Sequence, residues 1–280
     1  MKRLLFLNII FLSLCVLSQN TVTLKVASYN LRLDTEVDSL NSWEYRKDKV
    51  NDLLKYHEFD FVGTQEGFYF QLQDICRIPN LSFVGSGRDD GDKAGEHSAI
   101  VYNNDKFEVL ENGDFWLSET PEVPGKGWDA TCCNRICSWA KFKEVDSGTE
   151  FYFFNVHFDH QGVKAREESG KLMKEKIKEI AGNHPVIATG DFNSHPETIQ
   201  IKILSEFLND SYHVSDTPPY GPAGTFTRRF ENPIGQHRID YIFVSDHFKV
   251  SKYAHLTDND GKYYPSDHIP VTSILTISIP

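Results

Sequence analysis

Short β-rich runs alternate along the chain with stretches of helical spacing. The segment TVTLKVASYNL (21–31) predicts a first strand. WEYRKDKVNDLLKYH (43–57) predicts a helix, because Trp43, Val50, Leu53, Leu54 and His57 recur near helical spacing. DFVGTQE reads as a buried strand ending on polar residues. A helix over 68–77 and strands in SFVGSG, HSAIVYN and KFEVLENGDFWL follow. In the second half, SWAKFKE and EFYFFNVHF flank a turn at 146–148, the pattern of a hairpin. A helix over 165–181 stops at Gly182, a suitable C-terminal glycine. PVIATGDFN is another buried strand, and a helix after Pro196 leads through PPYGPAG to strand RIDYIFVS. The segment YPSDHIPVTSILTIS turns through SDH into a last strand. This order predicts an α/β chain in which two sheets pack face to face, with helices outside to cover the remaining apolar faces.

The first residues depart from this pattern. MKRLLFLNIIFLSLCVLSQN has a charged start, an apolar run from Leu4 to Leu17 and then polar residues, which is the layout of a secretory signal peptide over 1–18. The run is short for a membrane span, and bulky Leu14 before Cys15 fits a lipid-attachment signal poorly. The expected product is an exported protein, periplasmic or extracellular. No repeat, low-complexity tract or linker divides what remains, so a single domain over 19–280 is expected.

Charge and cysteine content narrow the functions. The formal net charge is −11, and loss of Lys2 and Arg3 with a leader makes the chain more acidic still. Long nucleic acid is therefore a disfavoured partner, since its binding rests on many Lys and Arg contacts to phosphates. Cys76, Cys132, Cys133 and Cys137 remain, and C-C-x-x-x-C lacks the second pair or nearby His of a zinc site. A disulfide within this cluster, one to Cys76, and free thiols are all compatible with the spacing.

Eight polar residues stand out by position. Asn30, Glu66, His157, Asp191, Asn193, Asp240, Asp267 and His268 each lie at or close to the end of a strongly apolar strand. Any one of them alone is most simply a turn former. Strand ends along one sheet edge converge in space, so eight together predict a site on a rigid scaffold.

The segments ASYNLR, VGTQE, FNVHFDH, TGDFNSHP, RIDYIF and PSDHIPV run from Ala27 to Val271. In order and separation they resemble the endonuclease/exonuclease/phosphatase superfamily. That superfamily spans DNase I type nucleases, abasic-site endonucleases, deadenylases, neutral sphingomyelinases and inositol polyphosphate 5-phosphatases. GDFN alone is weak evidence, whereas GDFN followed by RIDYIF and SDHIPV is specific. The resemblance implies a DNase I-like four-layer α/β sandwich with two packed mixed β-sheets. It also implies a phosphoester hydrolase dependent on Mg²⁺, with Mn²⁺ as the alternative ion.

The chemistry gives each residue an expected role. Mg²⁺ takes octahedral oxygen ligands and keeps several waters, so one or two carboxylates suffice to hold it. Glu66 is the expected direct ligand, Asp267 shares the ion or binds a second one, and Asn30 supports them by hydrogen bonding. His268 is expected to contact a phosphoryl oxygen or orient water, with Asp240 fixing its tautomer. Asp191 is the candidate for activating water, Asn193 for donating to the pentavalent phosphorus state, and His157 for facing the phosphate. By resemblance to related nucleases, Glu96 is expected to orient a catalytic histidine.

His97, Asp159, His160 and Arg166 flank these segments as substrate-binding candidates, although surface turns and a solvated helix face explain them almost as well. In GWDATCCNRICSW, Trp128, Asp129 and Arg135 are candidates to cap the pocket, with core or loop packing as the plainer reading of Trp128 and Arg135 a candidate phosphate contact. Phe226 is a candidate for ring stacking, with loop packing as the plainer reading.

The leading expectation is hydrolysis of a small phosphomonoester or phosphodiester: a nucleotide, sugar phosphate, inositol phosphate or lipid head group. The alternatives are a secreted nuclease or 3′-5′ exonuclease, and a catalytically silent binding module. The last is opposed by a complete set of carboxylates and histidines. Substrate choice is expected to reside in the loops around Gly91, Trp128 and Gly221.

Overall fold

Val22 and Leu24 face inward between exposed Thr21, Thr23 and Lys25, but from Val26 to Asn30 every residue of β1 (Thr21–Asn30) is buried. The strand thus starts with one covered face and ends with two. The computed structural model describes residues 21–279, and the expected 1–18 leader lies outside them. After β1 come α1 (Trp43–His57), β2 (Phe61–Gln65), α2 (Tyr69–Ile75), β3 (Leu81–Val84), β4 (Ile100–Asn103) and β5 (Phe107–Trp116). The hairpin β6 (Ile136–Glu144) and β7 (Glu150–His157) precedes α3 (Val163–Ala181) and β8 (Val186–Asp191). The chain closes with α4 (Ile199–Ser205), β9 (Asn209–Asp210), α5 (Ser211–Val214), β10 (Asp240–Val244), β11 (Phe248–His255) and β12 (Val271–Ser278).

Two six-stranded sheets result, in the orders β11-β12-β1-β2-β4-β3 and β5-β6-β7-β8-β10-β9. Each is mixed, with one parallel pair at its centre: β1 beside β2, and β7 beside β8. Between the sheets lies an apolar layer built from Phe61, Phe107, Phe142, Phe151, Phe153 and the aliphatic residues of β1, β11 and β12. A second apolar layer, with Trp43, Val50, Leu53 and Leu72, fills the space under α1 and α2. A third, with Met173, Ile177, Ile201 and Leu204, lies under α3 and α4. Each sheet therefore buries both faces, giving the four-layer α/β sandwich. Among the described residues, no helix is long and apolar enough to cross a membrane.

α1 spans the expected residues, and it ends where Glu58 takes a left-handed conformation (φ 51°) and returns its N–H to Leu54 O. β11 is an element that the apolar pattern did not announce. Its register shifts between Val250 and Lys252, so the alternation of Phe248 and Val250 slips before Tyr253 and His255 resume it. Bulges of this kind break the period of two on which strand reading depends. β3 and β4 are shorter than expected, because residues 85–99 form a loop that folds back on the site.

Candidate active site

Topology gathers the site. β1 and β2 run parallel and finish at Asn30 and Gln65, and β7 and β8 finish at His157 and Asp191, which are register partners. β10 runs antiparallel to β8 and starts at Asp240, opposite Asp191. β12 runs antiparallel to β1, so Asp267 and His268 just before it fall on the same edge. The finishing ends of four strands and the starting ends of two thus meet on one rim.

Asn30 joins the two sheets there. Its amide donates to Glu66 Oε1 and to Asp191 Oδ2, at 3.0 Å each. Glu66 also accepts from the Leu33 N–H at 3.1 Å and sits in left-handed backbone at φ 64°, a conformation that disfavours side chains and recurs at functional positions. Arg46 holds the rim from behind, donating 2.8 Å bonds to Leu31 O and Pro265 O while almost wholly buried.

The electrostatics separate the acids. Burial pushes Glu66 up, but the Asn30 amide, the His268 charge and the Leu33 N–H outweigh it and leave this carboxyl below its usual range. Asp191 rises to about 7 through burial and the neighbouring charge of Asp240, partly opposed by His268. Asp267 rises to about 6, chiefly by burial. Arg32 lies between Glu66 (3.8 Å) and Asp267 (3.9 Å), so one guanidinium faces two carboxylates that otherwise repel.

His268 Nδ1 is 2.9 Å from Asp240 Oδ2, and its Nε2 is 3.7 Å from Asp191 Oδ2. Burial opposes its charge, yet Asp240 and Asp191 together raise its proton affinity well above the ordinary histidine value. Asp240 thus holds the ring at Nδ1 and, with Asp191, favours its charged form. His157 is the reverse case. Burial first, then Arg135 and Arg88, hold it well below its ordinary value, which favours the neutral ring.

The Asn193 amide donates to His157 Nε2 at 3.1 Å and to Phe158 O at 3.0 Å, which uses both of its hydrogens. In this arrangement Asn193 orients His157. Like Glu66 it has positive φ, at 45°.

A hard dication suits this donor set. Glu66 and Asp191 each offer a carboxylate oxygen within 4.8 Å of the other and of a His157 ring nitrogen, and buried Asp267 Oδ1 has no hydrogen-bond partner. Unpartnered buried carboxylate oxygens are costly, and a cation removes that cost.

Around the cluster is a cleft of about 410 Å³, whose wall includes Arg32, Arg88, Glu96, Arg135, His160 and Phe226. Arg32 and Arg88 were not singled out in the sequence, where an arginine in a polar segment carries no signal of burial. Glu96 bonds Arg88 Nη1 at 2.6 Å and orients no histidine, contrary to expectation. His97 is buried beside Tyr69, with its N–H bonded to Gly67 O, and takes no part in the cleft wall. Arg166 donates to Asp159 O and also lies off the wall. Asp129 caps the start of α3 through the N–H groups of Lys164 and Ala165. Cys132 and Cys133 form a disulfide at the cleft wall, and Cys76 and Cys137 are free. Phe226 packs its ring 4.9 Å from that of His268.

The family model described as "Endonuclease/Exonuclease/phosphatase family" matches residues 27–268. A solved endonuclease/exonuclease/phosphatase family protein from Bacteroides thetaiotaomicron is 45% identical, covering 93% of this chain and 100% of its own, with a TM-score of 0.88. A solved mannosyl-6-phosphatase from the same species is 46% identical, covering 90% of this chain and 99% of its own, with a TM-score of 0.85. An uncharacterized protein of Acanthamoeba polyphaga mimivirus is 26% identical over 256 residues, 86% of this chain and 94% of its own length. The family match runs from the first strand to the last site histidine and takes in every residue of the cluster; the chain belongs to the endonuclease/exonuclease/phosphatase family.

Proposed function

We propose that this protein is an exported, divalent-metal-dependent hydrolase of small phosphoesters. The observation that carries the reading is the polar cluster of Glu66, Asn30, Asp191, His268 and Asp240, which spans both sheets in a buried rim. Glu66, with Asp267 as a further oxygen donor, would hold Mg²⁺ or Mn²⁺, which would supply positive charge to offset the phosphoryl group and the leaving oxygen.

The protein groups divide the remaining work. Asp191, at about 7, is poised to take a proton from the attacking water near neutral pH. The His268 imidazolium, held at Nδ1 by Asp240, directs its Nε2–H toward a phosphoryl oxygen as negative charge develops there. Neutral His157, set by the Asn193 amide, lines the same face. Phe226 covers one side of His268 and excludes water from it.

A cleft of about 410 Å³ lies in the lower part of the range of small-molecule pockets, roughly 300–1,000 Å³. With the acidic net charge this favours a small substrate over a polymer. The 46% identical mannosyl-6-phosphatase supports phosphorylated sugars as the first class to test.

The test is turnover of sugar phosphates, nucleotides, inositol phosphates, nitrophenyl esters and single-stranded nucleic acid, each with Mg²⁺, Mn²⁺ or EDTA, by wild type and His268→Ala. Metal-dependent release of phosphate from small esters, lost in the variant, is expected. Turnover confined to nucleic acid, or turnover indifferent to EDTA, overturns the reading.

A further inference from the structure

Two buried arginines have no part in the steps above. Arg88 and Arg135 line the same cleft and are only 9% and 5% exposed. Neither satisfies its guanidinium. Arg88 donates from Nη1 to Glu96, and its Nε is buried without a partner. Arg135 donates from Nη2 to His160 Nδ1 at 2.8 Å, while its Nε and Nη1 are buried without partners. The nearest acid to that Nε, Asp159 Oδ2, stands 3.8 Å away, beyond hydrogen-bond reach.

A purely structural ion pair would close these bonds, because each buried donor left open costs about 1–3 kcal/mol. The open donors belong to groups near the reacting centre, since Arg88 and Arg135 line one cleft with His157, Asp191 and His268. Burial pushes the Glu96 carboxyl up to about 7, so near neutral pH it is only partly ionised. The wall thus presents two guanidiniums with open donors beside a carboxyl whose charge burial weakens.

We propose that Arg88 and Arg135 clamp the non-bridging oxygens of a terminal phosphate, and so make this site select phosphomonoesters over phosphodiesters. The inference rests on the phosphoester-hydrolase reading and specifies its substrate class. A monoester has a second pKa near 6 and presents about two negative charges on three terminal oxygens at neutral pH. A diester presents one charge on two oxygens and brings a second carbon group that has to be housed. Planar guanidinium forks match the former, and paired arginines gain most from a dianion.

The experiment compares 4-nitrophenyl phosphate with bis(4-nitrophenyl) phosphate in the Mg²⁺-loaded enzyme, for wild type, Arg88→Gln, Arg135→Gln and Arg135→Lys. Each Gln variant is expected to lose about 10²-fold in kcat/KM on the monoester and less than about 3-fold on the diester, with partial recovery in Arg135→Lys. Equal losses on both esters, or no loss on either, overturn the clamp.

Calorimetric titration of the wild type with methyl phosphate and dimethyl phosphate supplies a readout that needs neither turnover nor a folded variant. Methyl phosphate is expected to bind at least about tenfold tighter. Equal affinity, or no binding of either, overturns the clamp. Failure of the wild type to hydrolyse any ester while it still prefers methyl phosphate overturns the hydrolase reading instead and leaves the clamp standing.

Discussion

The space between the two sheets has two ends that follow opposite rules. At one end the Phe61 ring lies 4.6 Å from Phe107, 4.8 Å from Phe142 and 5.3 Å from Phe153, a dry aromatic cluster. Four residues further along β2, at the other end, stand Gln65 and then Glu66, facing Asn30, Asp191 and His268. Midway, Asn155 links the sheets. It accepts from Gln65 Nε2 (2.8 Å) and Thr189 Oγ1 (2.9 Å), and donates to Thr64 O (2.7 Å) and Ala99 O (2.9 Å). Gly63 leaves the room for this link, since a Cβ there would lie 2.5 Å from Asn155 Oδ1.

The difference separates stability from chemistry. The aromatic end holds the sheets together by area and packing. The polar end pays desolvation to keep charges within reach of one another.

The largest effect that sharpens this contrast is expected at Asp191. Asp191→Asn is nearly isosteric and removes the group poised near neutral pH, so kcat/KM is expected to fall about 10³- to 10⁴-fold, with Tm unchanged or higher. Steady-state turnover beside calorimetric melting checks both halves. A variant that unfolds early but retains its rate would break the division.

Phe61→Ala is the opposite case. A cost of about 3–5 kcal/mol in denaturant unfolding is expected, with kcat within about 3-fold of wild type well below the melting temperature. A collapse of kcat in the still-folded variant would show that the aromatic end shapes the site directly.

A smaller effect probes the charge cost itself. The Asp267 carboxyl is raised to about 6, so folded and unfolded chains are both protonated there below about pH 4. Between pH 4 and 6 the unfolded chain gives up this proton first, and stability falls. Above 6 the penalty is complete. In EDTA the wild type is therefore expected to lose about 2 kcal/mol relative to Asp267→Asn as the pH rises from 4 to 7, and Mg²⁺ is expected to abolish the loss. Urea unfolding at both pH values measures it; a difference that stays flat without metal means that Asp267 is already charged at pH 4.

Local order carried much of the fold into view. α1 is recorded in spacing because one face of it meets a core, and the hairpin of β6 and β7 in two apolar runs around a turn. The rim residues were visible because a strand that ends on Asn, Asp or His after an apolar run exposes its polar end to one edge. β11 stayed hidden because a bulge breaks its period. Glu96 met Arg88 instead of a histidine, and the contacts of Asn193 to His157 and Phe158 stayed hidden, because spacing encodes none of these partners.

Sequence by itself determined the periodic elements, the family, and the set of carboxylates and imidazoles at strand ends. Each of these depends on residue type and on distance along the chain. Only the tertiary structure decided which guanidiniums are buried, which donors stay open and which acids share a proton field. Arg46 shows why: it bonds Pro265 O across 219 positions, and no local pattern in α1 distinguishes it from a solvated arginine. Hydrogen bonding and desolvation act over a few ångströms of space, and the folded sheets alone set those distances.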